Sequence, residues 1–209
     1  VVAGEFNAGK TSVINLLLRR EVLPPSVEFS MMPPVRFFPS DTETCRIVTS
    51  DGAEADPEAL HRGELSGDEL SSVEIGTDFG GIDGASIWEV SVDLDGTLSA
   101  GAREILEAAD VLIWCTMGQR AWALTEITVV ASLPDAARET AILAMTRSDL
   151  LRQPAKRDLV KQRLDKEAGL FFPTILQLSG ARRVIETAQD DAAWTAAGGA
   201  ALRRAVQVA

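Results

Sequence analysis

The feature that most constrains this chain is an octapeptide, GEFNAGKT, which occupies residues 4–11 between two apolar segments. It fits the pattern GxxxxGK[ST], in which glycines let the backbone curl and approach phosphate oxygens closely. VVAG before it is typical of the end of a buried strand, and TSVINLLL after it is typical of a helix. This order predicts a phosphate-binding loop; the alternative is a glycine-rich turn that carries a surface lysine.

The positions of this loop have distinct expected roles. Backbone N–H groups of residues 7–12 would surround a phosphate at a helix N-terminus, whose dipole favours anions. Lys10 would reach the β- and γ-phosphates, and Thr11 would place its hydroxyl on Mg²⁺. The predicted nucleotide-binding residues of this segment are Gly4, Glu5, Phe6, Asn7, Ala8, Gly9, Lys10, Thr11 and Ser12.

Composition limits the classes of protein to consider. The 209 residues suit one domain with a substantial core, and no apolar run approaches the roughly 18 residues of a membrane span. A formal net charge of −11 argues against non-specific binding to nucleic acid or anionic lipid. Two cysteines and one histidine exclude a disulfide framework and multi-histidine metal sites, which favours a reducing cytoplasm. The chain lacks an initial Met, so we expect an N-terminus truncated close to the first strand.

Strand-like and helix-like segments alternate along the rest of the chain. Continuous apolar runs such as VLIWCTM (111–117) and TAILAMT (140–146) are typical of buried parallel strands. The alternation predicts an α/β fold of the phosphate-loop NTPase type, a doubly wound and mostly parallel sheet in one domain over 1–209. A proline-rich loop at 24–34 and an acidic excursion at 51–72 interrupt it. The remaining predictions are strands in 35–50, 86–92 and 174–179 and helices at 10–20, 101–109, 121–133, 155–168 and 182–208.

Two strand ends carry residues suited to a nucleotide base. Asp149 follows TAILAMT, where its carboxylate could accept both N1–H and the N2 amino group of guanine. Adenine has no such pair of donors, so Asp149 would select guanine; the alternative is a helix N-cap formed by Asp149 or Ser148. Backbone N–H groups after the next strand would meet the guanine O6 atom. The predicted base-binding residues are Thr146, Arg147, Asp149, Ser179, Gly180 and Ala181.

A further acidic strand end would face the metal. SIWEVSVDLDG places Asp93 directly after a strand, with Gly96 three residues on. Asp93 would hold Mg²⁺ through a water molecule, and the Gly96 N–H would contact the γ-phosphate. The alternative is an ordinary polar turn with two aspartates.

These motifs together resemble the GTPase (G) domain of bacterial dynamin-like proteins, over nearly the whole chain. Five stretches of the chain follow the order of that family's motifs. The phosphate loop matches GEFNAGKT with its INLLL helix, switch I matches VLPPSVEFSMMPPVRF, and the DTPG motif matches VDLDG. The strand after that motif matches EAADVLIWCTM, and the TKxDLL motif matches TRSDLL. The resemblance implies a large GTPase that uses GTP, GDP and Mg²⁺. It also implies G domains that pair as a homodimer or heterodimer through their nucleotide faces, and membrane remodelling.

The same resemblance implies where such a protein works. The helical bundle and the membrane-binding regions of the family would lie outside this chain. We therefore expect a protein that touches a membrane peripherally in its full-length form. The cysteine content and the net charge add the expectation that it is cytoplasmic and does not bind nucleic acid.

Departures from the family pattern bear on hydrolysis. Met31 stands where the family keeps a Mg²⁺-binding threonine, and a thioether does not suit a hard cation, so Ser30 is the substitute candidate. Asp95 replaces the proline of DTPG and adds negative charge near the γ-phosphate. Asn7 can hydrogen-bond a catalytic water from the loop, whereas Phe6 cannot. The expected catalytic residues are Lys10, Asn7, Ser30 and Gly96, and the expected metal-binding residues are Thr11, Asp93 and Ser30.

Three functional hypotheses follow. The first is an active dynamin-like GTPase. The second, based on Met31 and Asp95, is a catalytically impaired dynamin-like nucleotide-binding or scaffold subunit that acts with an active partner chain. The third is a phosphate-loop ATPase or kinase of another family, whose base preference Asp149→Asn would leave unchanged.

Overall fold

A computed structural model describes residues 1–22, 33–61, 65, 69–79, 84–93, 95–179 and 190–209. In these ranges nine strands form one sheet, with helices packed on both faces. The strands are β1 (Val2–Glu5), β2 (Val35–Pro39), β3 (Thr44–Thr49), β4 (Glu54–Ala55), β5 (Leu70–Thr77), β6 (Ile87–Val92), β7 (Ile113–Met117), β8 (Ile142–Thr146) and β9 (Thr174–Gln177). The helices are α1 (Lys10–Leu18), α2 (Glu58–His61), α3 (Ala100–Glu107), α4 (Leu124–Ala131), α5 (Asp135–Glu139), α6 (Pro154–Glu167), α7 (Asp191–Ala196) and α8 (Gly199–Val208).

The sheet has a parallel half and a mixed half. Its strand order is β4-β3-β5-β2-β6-β1-β7-β8-β9. From β6 to β9 the neighbours are parallel, whereas β2 is antiparallel to β6 and β3 is antiparallel to both β4 and β5. β1 lies between β6 and β7, so the loop that follows it emerges among the carboxyl ends of parallel strands, where α/β sheets place ligands. The predicted doubly wound, mostly parallel α/β fold is confirmed.

Helix α1 follows the predicted phosphate loop, and its buried residues fix its position. Residues 13–18 of this helix are all buried against one face of the sheet, with α7 and α8. Its C-terminal carbonyls are satisfied by side chains from these helices: the Trp194 indole donates to Leu16 O at 2.8 Å, and the Arg203 guanidinium donates to Leu17 O at 2.8 Å. Because these carbonyls have no intrahelical donor, the two bonds attach α1 firmly to the end of the chain.

Several predicted boundaries were wrong. Helix α1 ends at Leu18 because Arg19 adopts a left-handed conformation, and the segment predicted as one helix at 121–133 begins only at Leu124, after a 3₁₀ turn at Gly118–Arg120. The predicted break near Gly198 is present, between α7 and α8. Of the helix predicted over 182–208, residues 182–189 lie outside the described residues, as do parts of 24–34 and 51–72.

Strand β5 is absent from the predictions, and its first three residues fall within the predicted acidic excursion. A glutamate in its middle obscured the strand pattern. Glu74 is paired across the sheet, because its carboxylate accepts hydrogen bonds from Arg46 at 2.8 Å and from Arg36 at 3.3 Å. Burial opposes ionisation of Glu74, but these hydrogen bonds outweigh it and hold the pKa below its ordinary value. None of the helices in the described ranges is long and apolar enough to cross a bilayer.

A second buried glutamate joins β7 to α4. The Glu126 carboxylate accepts hydrogen bonds from the Trp114 indole at 3.2 Å, the Thr116 hydroxyl at 3.0 Å and the Ala123 N–H at 2.7 Å. Burial raises the pKa of Glu126, and these three bonds offset part of that rise. Two of these donors, Trp114 and Thr116, are fully buried on β7, so neither has solvent as a ready alternative.

We expect Glu126→Ala to lower the free energy of unfolding by about 3 kcal/mol, since it leaves buried donors without an acceptor. Urea denaturation measures the change. Glu139→Ala, at an exposed carboxylate of α5, is the control and should stay within about 0.5 kcal/mol of the unmodified chain. Equal effects of the two substitutions would contradict a structural role for Glu126.

Candidate nucleotide-binding site

The loop after β1 has the backbone of an anion site. The Ala8 N–H donates to Glu5 O at 3.0 Å, and both Asn7 (φ 61°) and Gly9 (φ 89°) are left-handed, which turns the chain sharply into α1. Gly9 is the N-cap of α1, and no side chain caps this end. Since the first N–H groups of a helix have no intrahelical acceptor, they are available to an anion, and the helix dipole favours one there.

Two close approaches explain the glycines. A Cβ on Gly4 would lie 2.5 Å from the Cys115 carbonyl oxygen on β7, so a larger residue cannot occupy this position without displacing backbone. A Cβ on Gly9 would lie 3.1 Å from the Thr146 hydroxyl. That hydroxyl donates to Ala8 O at 2.7 Å and is buried. Thr146 therefore supports the loop from β8, although it was predicted as a base-binding residue.

Lys10 is held inside the loop. Its side chain is 4% exposed, and its Nζ donates to the Glu5 carbonyl at 3.0 Å. Burial lowers the pKa of Lys10, and the nearby Glu89 carboxylate opposes that shift. A phosphate oxygen would offer the ammonium a charged acceptor, which binds it more strongly than a neutral carbonyl does.

Glu89 on β6 is a site residue that the sequence predictions missed. The Thr11 hydroxyl donates to its carboxylate, 3.0 Å from Oε1 and 2.9 Å from Oε2. Glu89 is 7% exposed, and burial raises its pKa, against the opposing effects of Lys10 and of the Thr11 hydrogen bond. The sequence does hold a signal for Glu89, because it is the one charged residue in SIWEVSV. Since side chains alternate between the two faces of a strand, Glu89 is expected on the same face as Asp93, four residues later.

Glu5 contributes to the site through its backbone. Its side chain is on the opposite face of the sheet from Glu89, where it accepts hydrogen bonds from the Arg120 guanidinium and, at 2.5 Å, from the Thr125 hydroxyl. These contacts join the loop to α4 and to the 3₁₀ turn before it. Phe6, the next residue, is 51% exposed.

The available ligands fit magnesium bound together with a nucleotide. Asp93 is exposed directly after β6, and Thr11 lies at the start of α1, so both offer oxygen atoms at this end of the sheet. In the part of the chain that the structure describes, no group of three or more His, Cys, Asp or Glu side chains could hold a metal alone. Mg²⁺ commonly takes one or two protein oxygens and completes its shell with phosphate and water, which matches this set.

The turn after Asp93 is closed on itself. The Gly96 N–H donates to Asp93 O at 2.9 Å, and the Asp93 N–H donates to Thr97 O at 3.2 Å. The Asp95 carboxylate accepts the Thr97 N–H at 2.9 Å, and hydrogen bonds from Thr97 lower the pKa of Asp95. In this conformation the Gly96 N–H does not face outward, so the predicted contact with a γ-phosphate would require the turn to open.

The predicted base-binding residues after β8 and β9 differ in exposure and in hydrogen bonding. Arg147 and Asp149 are exposed at a 3₁₀ turn, Ser148–Leu150, after β8. The N-cap residues of this turn and of the following α6, Arg147 and Gln153, make no side-chain cap, and the Ser148 hydroxyl donates to Leu178 O at 3.0 Å. The Ser179 N–H donates to Ala197 O at 3.1 Å and is thus already used. Gly180, Ala181, Ser30 and Met31 lie outside the described residues.

Solved structures share this architecture. A structure of an oligomerised bacterial dynamin pair, described as a mechanism for long-range sensing and tethering of membranes, matches with a TM-score of 0.60 and 16% identity, over 90% of this chain and 34% of that one. The chain has the fold of a dynamin G domain. A second structure of such a pair matches with a TM-score of 0.57 and 15% identity, over 84% of this chain and 29% of that one.

The remaining comparisons with known proteins give weaker matches or none. A crystal structure of an Aquifex aeolicus Era variant bound to GDP.AlF4⁻ matches the chain with a TM-score of 0.48 and 12% identity, over 88% of this chain and 50% of that one. No family model and no curated protein matches the chain. The chain spans about a third of the length of the dynamin structures, at 34% and 29%.

We expect Gly4→Ala to lower the free energy of unfolding of this chain by at least about 2 kcal/mol, because the new methyl group meets the Cys115 carbonyl. Urea denaturation is the measurement. Gly101→Ala in α3 is a matched control: its methyl group would meet no atom within 4 Å, so it should be neutral or stabilise by up to about 1 kcal/mol. A Gly4 variant as stable as the control would contradict the close approach of β1 and β7.

Proposed function

We propose that this G domain binds GTP and GDP with Mg²⁺ and hydrolyses GTP, as the nucleotide-binding domain of a dynamin-like large GTPase. The observation that carries this proposal is the uncapped N-terminus of α1 beside the buried Lys10 ammonium. Free backbone donors and a desolvated cation at one point suit a polyphosphate better than they suit any neutral ligand.

The residues of the loop have separable parts in the proposed reaction. Lys10 and the backbone N–H groups would bind the β- and γ-phosphates, and Thr11 and Asp93 would hold Mg²⁺, Asp93 through water. The metal, when bound, neutralises charge that develops on the transferred phosphoryl group. Asn7, exposed at the turn of the loop, is suited to orient the attacking water, with Ser30 and Gly96 as further candidates.

The side chains around the site support pairing of two G domains through this face, as a homodimer or a heterodimer. Phe6 follows β1 and is 51% exposed, and Leu150 follows β8 and is 50% exposed. A contact through this face would remove these two apolar side chains from water. Membrane remodelling, which would be driven by such pairing in the cytoplasm, would require regions outside this chain.

A second candidate, a catalytically impaired subunit that works with an active partner chain, is favoured by the closed turn at Asp93. Because the Gly96 N–H already has an acceptor there, a γ-phosphate must displace Asp93 O before that donor can stabilise charge. Binding of nucleotide does not require that step, so the two candidates differ in hydrolysis alone.

Single-turnover hydrolysis of GTP across a range of protein concentrations distinguishes these candidates. An active GTPase that pairs should hydrolyse faster per molecule as its concentration rises. Lys10→Ala should lower nucleotide affinity at least about tenfold, since it removes a cation in contact with phosphate, and serves as the inactive control. Tight GTP binding with no turnover at any concentration would favour the impaired subunit, and failure to bind GTP would contradict both.

We expect Asp149→Asn to weaken GDP binding about 30-fold, the value for losing roughly 2 kcal/mol of charge-assisted hydrogen bonding. The same variant should gain affinity for xanthosine diphosphate, whose N1 and C2 pattern suits an amide. Fluorescent nucleotide titration measures both. Asp158→Asn, at an exposed carboxylate of α6, should change neither affinity. An unchanged base preference in Asp149→Asn would support a phosphate-loop ATPase or kinase of another family instead.

A further inference from the structure

We infer that Glu89 is a positioning residue for the magnesium ligand Thr11, and that it couples nucleotide binding to Mg²⁺. The inference rests on the proposed function, since it concerns the metal that would accompany GTP or GDP. Glu89 lies one strand away from the phosphate loop and four residues before Asp93, and none of the motifs in the sequence includes it.

The contact between Glu89 and Thr11 is specific. Both carboxylate oxygens lie within hydrogen-bonding distance of the Thr11 Oγ1 atom, at 3.0 and 2.9 Å. Glu89 is 7% exposed and Thr11 is partly buried, so water competes little for either group. The Glu89 carboxylate thus holds Thr11, which is the second residue of α1 and the last residue of the GxxxxGK[ST] pattern.

The chemistry of a hydroxyl explains what this contact does. A threonine hydroxyl has one proton to donate and two lone pairs to share. When the proton is given to Glu89, the Cα–Cβ rotamer of Thr11 is fixed and both lone pairs remain for a cation. A hydroxyl without such an acceptor would turn its proton toward other oxygens, including those of the phosphate, and would present the cation with a poorer ligand.

The backbone of β6 makes Glu89 a rigid support. Glu89 is paired with Val2 of β1 on one side and with Val35 of β2 on the other, near the middle of the sheet. Its side chain therefore starts from a fixed point, and the distance to α1 is set by packing of the buried apolar residues around it. A side chain held in this way can orient a ligand, whereas one on a mobile loop cannot.

Glu89 also lies near Lys10, and its effect on the Lys10 charge must be separated from its effect on the Thr11 hydroxyl. The two charges influence each other, so removal of Glu89 alters the environment of the phosphate-binding ammonium as well. An effect through Lys10 changes nucleotide affinity with and without Mg²⁺. An effect through Thr11 changes only the part of the affinity that depends on Mg²⁺.

The test is the ratio of two GDP dissociation constants for the same protein, measured with a fluorescent GDP in EDTA and in excess Mg²⁺. In Glu89→Leu, which removes the acceptor, we expect this ratio to fall about tenfold, the usual effect of removing a hydrogen-bond partner from a metal ligand. Glu89→Gln keeps one acceptor oxygen and should lose about threefold. Glu74→Gln, at a buried carboxylate paired with arginines on β5, is the control and should keep the ratio of the unmodified chain.

A double-mutant cycle with Thr11→Val determines whether Glu89 acts through the Thr11 hydroxyl. If Glu89 acts through the Thr11 hydroxyl, neither Glu89 substitution changes the ratio further once that hydroxyl is gone. Urea denaturation establishes that each variant folds, and Glu89→Gln with its cycle is sufficient should Glu89→Leu fail to fold.

The outcomes separate this inference from the proposed function. Failure of the unmodified chain to bind GDP overturns the proposed function and with it the inference. GDP binding that is strengthened by Mg²⁺, with an unchanged ratio in both Glu89 variants, overturns the inference alone. Equal losses in EDTA and in Mg²⁺, or Glu89 effects that persist in Thr11→Val, also overturn it, since they would show that Glu89 acts through Lys10 or the fold.

Discussion

The contact on which the rest of the site depends is the one between Gly4 and the Cys115 carbonyl. Because Gly4 has no side chain, β1 can run against β7 up to the point where the predicted phosphate loop begins. The loop is then supported from β8 by the Thr146 hydroxyl on Ala8 O and from β6 by Glu89 on the Thr11 hydroxyl. The start of α1 is thus fixed from both sides of β1 before any ligand is present, which lowers the entropy cost of binding one.

The charges at this site are balanced within the protein. Burial disfavours the ionised forms of both Lys10 and Glu89, and each reduces that penalty for the other. The balance is incomplete, because the Lys10 ammonium donates to a neutral carbonyl, Glu5 O. A phosphate would supply the missing acceptor charge, and magnesium would supply a cation next to the carboxylate. Nucleotide and metal together therefore suit this pair of buried charges better than either does alone.

Sequence reasoning located those parts of the site that depend on local spacing. The glycines, Lys10 and Thr11 lie within eight consecutive residues, and continuous apolar runs were sufficient to predict parallel strands such as β7 and β8. It missed contacts between residues that are distant in sequence, such as Glu89 with Thr11, 78 positions apart, and Glu5 with Arg120, 115 apart. These depend on strand order and register, which the local spacing of residues in a sequence does not reveal. Strand β5 was missed for a similar reason: the arginines that neutralise Glu74 come from two other strands.

The hydrogen bonds among Asp93, Gly96 and Thr97 would make nucleotide binding and hydrolysis separable steps in the proposed function. A proline at position 95 would lack the side-chain carboxylate that accepts the Thr97 N–H, so the aspartate adds a bond that holds the turn closed. The Gly96 N–H would leave Asp93 O only for a better acceptor. A charged γ-phosphate oxygen is such an acceptor, and GDP has none at that position. If the chain binds guanine nucleotides as proposed, the closed turn would favour GDP, and the γ-phosphate of GTP would have to open it before hydrolysis could begin.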